Sequence, residues 1–120
     1  MKEQMEQLRR LLKDRIAASE KRQRALEDAG EDTEALDEMY RARALGQLQE
    51  LLDTAQETGG DSSVLVLALF LQALDELSGT WQAQLAQARE AGRASRERTL
   101  NVRVSALQEA RDELMRLMGV

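Results

Sequence analysis

The stretch Val64-Leu65-Val66-Leu67-Ala68-Leu69-Phe70-Leu71 places eight apolar residues in succession in a chain that is 32% charged. A helix packed on one side needs an apolar stripe only about 100° wide, whereas one that is apolar all round has to be covered on more than one side. From the run onward, Val66, Phe70, Leu74, Leu77, Trp81, Leu85 and Ala88 recur three and four residues apart, the spacing of a single helical face. That stripe keeps its phase across Gly79, so the sequence predicts one helix over 62–91 and no chain reversal at Ser78-Gly79-Thr80. Inside a helix Gly79 costs about 1 kcal/mol relative to alanine and permits close packing or a bend. The alternative is a short helix over 62–78 followed by one long helix from Thr80 to Met118, giving fewer, longer helices in a coiled-coil dimer.

Glycine supplies the punctuation on either side. Gly30, Gly59-Gly60 and Gly92 stand where helical patterns stop, as glycine just past a helix end commonly does. Cutting there predicts helices over 2–28, 33–58, 62–91 and 94–118, with Asp32 or Thr33 and Asp61, Ser62 or Ser63 as N-caps. Helix one presents Met5, Leu8, Leu12, Ile16, Ser19 and Leu26, and its middle is poorly apolar. Helix two presents Leu36, Tyr40, Ala44, Leu48, Leu51, Leu52 and Ala55. Helix four presents Leu100, Val104, Leu107, Ala110, Leu114 and Leu117 or Met118. Four helices of roughly 40 Å joined by short turns predict an all-α, antiparallel four-helix bundle, a single helical domain over 1–120.

Composition narrows the function. The 120 residues contain no proline, cysteine or histidine and only three aromatics, Tyr40, Phe70 and Trp81. Without cysteine there is no disulfide or thiolate chemistry; without histidine the commonest general base and transition-metal ligand are missing. Calcium is disfavoured too: an EF-hand loop starting at Asp28 would need glycine at its sixth position and glutamate at its twelfth, where Thr33 and Met39 stand. No carboxylate stands inside an apolar pattern as an acid–base catalyst would. The expectation is a protein with no enzymatic activity, cofactor or metal.

The net charge of −5 argues against nucleic acid, whose binders carry a basic footprint. The eight-residue run is short of the roughly 20 residues a membrane span needs, so neither a membrane nor a secretory route is expected and the chain reads as cytoplasmic. Arginine outnumbers lysine 14 to 3, a bias of the kind a GC-rich bacterial or phage genome produces.

In an up-down-up-down bundle one pole gathers Met1, Met5 and Leu8, then Leu48, Leu51 and Leu52, then Val64 to Leu71, and then Leu114, Met115, Leu117, Met118 and Val120. The other pole sets Glu27, Asp28, Glu31, Asp32, Glu34, Asp37 and Glu38 against Arg89, Arg93, Arg96 and Arg98. Within helix three, Val66, Phe70, Leu74 and Trp81 serve the core while Leu65 and Leu69 project to another side. Burying a leucine is worth roughly 1.5–3 kcal/mol, so leucines left in water favour association. The expected role is a protein–protein interaction module that forms a homodimer or takes a heterologous protein partner, with Leu65, Leu69, Met115 and Met118 as its contact residues. A carrier holding a small apolar ligand near Phe70 and Trp81 is the first alternative, and an acidic mimic of nucleic acid the second. Arg15, Ser19 and Gln23, on or beside the core stripe of helix one, are either edge residues or a polar layer that fixes register.

Overall fold

A computed structural model describes residues 1–119; Val120, which the sequence groups with the apolar pole, lies outside the described residues. Four helices follow in order, α1 (Lys2–Asp28), α2 (Asp32–Gly59), α3 (Ser63–Glu90) and α4 (Ala94–Leu117), and no strand occurs among the described residues. The protein is an all-α antiparallel four-helix bundle, and α3 passes through Gly79 unbroken.

The turns explain why these helices stop. After α1, Gly30 takes φ 77° and its N–H donates to the Glu27 carbonyl at 3.0 Å, while Glu31 N–H reaches the Leu26 carbonyl at 2.8 Å. After α3, Gly92 takes φ 65°, and the N–H groups of Gly92 and Arg93 bond the Arg89 and Ala88 carbonyls at 3.2 and 2.9 Å. Both are left-handed caps that satisfy otherwise orphaned carbonyls, and glycine enters that backbone region without steric penalty. Between α2 and α3 the cap comes from a side chain: Ser62 Oγ accepts from Leu65 N–H at 3.3 Å. At the start of α2 the expected caps are corrected. Asp32 is already helical, Glu31 holds the cap position, and no side chain bonds the first turn.

Pairing of charges along the helices gives their directions. Arg9 bonds Asp53 near one end of the α1–α2 hairpin and Arg22 Nε lies 3.1 Å from Glu38 near the other. Arg111 bonds Asp75, and Arg89 Nε lies 3.0 Å from Glu97, along the α3–α4 hairpin. The bundle is skewed: α2 packs closely on each of the other three helices, whereas α1 and α3 occupy far corners and barely meet. Its extents of 45 × 34 × 25 Å describe one helix length and a flattened cross-section.

Inside, Leu8 and Leu12 of α1, Leu48 and Leu52 of α2, Val66, Phe70 and Leu74 of α3, and Leu100, Leu107 and Leu114 of α4 are fully buried. Trp81, Leu85 and Ala88 continue the α3 stripe, with Leu77 half-buried beside it. Leu36 leaves the α2 face drawn from the sequence, and Ala106 is added to that of α4. Leu36 is 49% exposed, and its place in the α2 core is taken by Ala35 and Leu45. Ala106 is buried in α4 while Val104 is half-buried. In α2 the four-residue steps Leu36–Tyr40–Ala44–Leu48 each turn the stripe by about 40°, so Leu36 lies about 120° around the helix from Leu48 and leaves the core face.

Candidate interaction surface

Ser62 caps the start of α3, and the packing of that helix on the bundle decides which residues of the apolar run turn inward. Val66 and Phe70 enter the core, Leu67, Leu69 and Leu71 lean on it half-buried, and Val64, Leu65 and Ala68 face solvent. Val64 is 67% exposed and Leu65 45%. The helix as a whole contains an 18-residue window of mean hydropathy 1.4, long and apolar enough to cross a membrane by length and composition, with 17% of that window buried. The sequence expectation weighed only the eight-residue run. The apolarity of that window comes from the Val64–Leu71 run, since the residues that follow it include the exposed Gln72, Asp75 and Glu76.

The four expected contact residues share one end of the bundle but not one open face. Leu65 points outward, Leu69 sits on the shoulder of the same helix against the core, and Met115 and Met118 are half-buried at the end of α4, Met118 packed on the core. Met5 is buried and Met1 is 43% exposed. The most exposed large apolar residue, Val64, has a local sequence signal: it follows a serine cap and lies about 200° around the helix from Val66.

Polar side chains elsewhere are largely engaged with each other. Ser19 is 1% exposed, with Arg22 Nη2 donating to its Oγ at 3.4 Å. Arg15 lies 3.6 Å from Glu109 and 3.4 Å from Glu113, and Arg41 donates to Glu109 at 3.1 Å, so one α4 carboxylate ties α1 and α2 together. Gln23 bonds Glu27 of its own helix at 2.8 Å. At the opposite pole the expected acid–arginine opposition is realised in Arg98, which clasps Asp37 through two nitrogens at 2.9 and 2.7 Å. Hydrogen bonds donated to the Asp37 carboxylate, together with its charge, hold the Arg98 guanidinium above its usual pKa. Arg89 turns instead to Glu97.

A broad groove of about 710 Å³ between α2 and α4 is lined by Thr33, Ser95, Asn101 and Ser105 around that pair. It offers hydroxyls and an amide, and its two carboxylates, Asp37 and Glu97, are paired with Arg98 and Arg89. Among the described residues no three acidic side chains converge as a metal site would require. Phe70 and Trp81 are both closed into the core. Comparison of the chain with protein families, curated proteins and solved structures finds no match.

Proposed function

We propose that the protein is a non-enzymatic protein–protein interaction module, of the adaptor, chaperone or inhibitor kind, which self-associates or takes a protein partner through the apolar end of α3. One observation carries the reading. Val64 and Leu65 are adjacent large apolar residues, 67% and 45% exposed, on a helix whose opposite face is the bundle core. An exposed apolar patch of this kind is how soluble bundles present a contact surface. The arginine–carboxylate pairs break up the acidic rows that a nucleic-acid mimic would display. A carried ligand beside Phe70 and Trp81 would have to displace packed core.

The test is size-exclusion chromatography with light scattering on the wild type and on Val64→Glu plus Leu65→Glu, with circular dichroism to confirm that helicity is kept. The wild type is expected to run as a dimer, or to bind a partner, and the variant as a folded monomer that retains neither. A wild type that is monomeric at every concentration and recovers the same proteins as the variant would overturn the reading.

A further inference from the structure

We infer that the tip of the α1–α2 hairpin, at the end of the bundle opposite Val64 and Leu65, is a second docking surface. Its occupant is a cationic amphipathic segment of another protein: an apolar side chain enters beside Leu36 while flanking arginines or lysines meet an acidic rim. A groove of about 280 Å³ between the two helices is lined by Gln23 and Glu27 of α1 and by Asp32, Ala35, Leu36 and Met39 of α2. Its floor is apolar. Ala35 is buried, Met39 is half-buried and Leu36 is 49% exposed, and the last two stand apart from the central core.

Charge identifies the partner. Residues 20–39 contain eight acidic and three basic residues, so this one segment carries a net −5, the net charge of the whole chain; the other 100 residues carry 14 of each sign. Arg22 matches Glu38 and Arg98 matches Asp37, which leaves six carboxylates of the segment unpaired, Glu27 and Asp32 on the rim among them, against Lys21 and Arg24. A field of one sign around an apolar groove draws in a partner of the opposite sign and rejects one of its own. Nucleic acid and anionic lipid are turned away by that field, and among the described residues no three carboxylates converge as a metal ion requires. A second copy lacks the complement, since its exposed Val64 and Leu65 stand in 44–88, a stretch with no lysine or arginine.

The two parts of the surface do different work. Exposed ion pairs are individually weak and screened by salt, so the carboxylates supply a salt-dependent attraction and the Leu36 groove supplies the selectivity. No residue from Glu20 to Glu34 is buried, and an apolar anchor beside Leu36 adds packing that the tip lacks. Binding is therefore linked to local order in the tip.

The probe is a fluorescein-labelled synthetic helix of about 14 residues, with leucines three and four apart on one face and arginines on the other, titrated with the full chain and read by anisotropy. Binding is expected at low salt, and is expected to weaken at least tenfold in about 500 mM salt or when glutamate replaces the peptide's arginines. Leu36→Ser, and separately Glu27→Gln plus Asp32→Asn, are each expected to weaken it at least fivefold with helicity unchanged in circular dichroism. Val64→Glu plus Leu65→Glu, at the far end, is expected to bind as wild type does, and bound peptide to slow deuterium exchange over 20–39. No binding at about 1 mM peptide overturns the inference. Equal binding by wild type and Leu36→Ser overturns it too, because charge alone then accounts for the adhesion. Loss of binding in Val64→Glu plus Leu65→Glu, with exchange slowed over 63–71 instead, puts the peptide on α3; that result overturns this inference and leaves the reading of the apolar end standing.

Discussion

Gly59 and Gly46 lie on the same helix and call for opposite responses to a methyl group. A Cβ on Gly59 would stand 2.6 Å from Val66 Cγ2 and 3.0 and 3.1 Å from the Val66 backbone nitrogen and Cα, so backbone as well as side chain would have to yield. Gly59→Ala is expected to destabilise by about 1–3 kcal/mol, as overpacking does. Gly46→Ala meets nothing within 4 Å and is expected to stabilise by up to ~1 kcal/mol through helix propensity. Urea titration of the two single variants checks the pair, and equal stabilities would refute the close α2–α3 turn. Leu36 and Leu48 make a second pair. The sequence sets both on one stripe, but Leu36 is 49% exposed and Leu48 fully buried. Leu48→Ala is expected to cost about 2–5 kcal/mol and Leu36→Ala less than about 0.5 kcal/mol. The sequence showed Gly59 only as a stop, because its close neighbour belongs to the next helix and no local pattern reveals which backbone will cross there. Leu36 was misplaced because the four-residue steps that join it to Leu48 turn the stripe by about 120° in all, off the core face.

At the scale of elements, the α1–α2 hairpin is unevenly supported. From Glu20 to Glu34 no residue is buried, so the end of α1, its turn and the start of α2 are held by helical hydrogen bonds, the Gly30 cap and the Arg22–Glu38 pair. An exposed ion pair contributes about 0–1 kcal/mol, too little to offset the missing core. Local opening is governed by such support, and amides over 20–34 are therefore expected to exchange with deuterium faster than those of 44–55, where Ala44, Leu45, Leu48, Leu52 and Ala55 are buried. Hydrogen exchange read by mass spectrometry at peptide resolution checks this; equal protection of the two segments would show that the tip is stabilised by packing. The unevenness was legible beforehand in the poorly apolar middle of α1. The all-α bundle class was legible too, because the chain lacks proline, its glycines are sparse, and the α3 stripe holds phase over about six turns. The skew was not legible: α2 as the shared neighbour of three helices follows from side-chain volumes across the core, which a stripe on one helix does not encode.

For the whole molecule, the apolar pole was legible as a gathering of residues, but most of it proves to be ordinary core. Met5, Leu48, Leu52 and Leu114 are buried, which leaves the outward face of α3 as the open part. If a second copy closes that face, folding and association are linked, since whatever binds the native state alone stabilises it by mass action. Below the dissociation constant the chain unfolds as a monomer and Tm does not depend on concentration. Above it, each tenfold rise in concentration adds RT ln 10 per dimer, about 0.7 kcal/mol per chain. For a chain of 120 residues that corresponds to about 2–5 °C in Tm per decade. The expected curve is flat at low concentration and climbs at high concentration, with a break near the dissociation constant obtained from light scattering. Val64→Glu plus Leu65→Glu is expected to flatten it throughout without lowering the low-concentration plateau by more than about 0.5 kcal/mol, because both side chains already face water in the monomer. Calorimetric scans of both proteins across three decades of concentration make the comparison. A wild-type Tm that stays constant through the concentrations at which dimer is detected would mean that the two copies meet through a surface the unfolded chain presents equally well, and α3 would not be it.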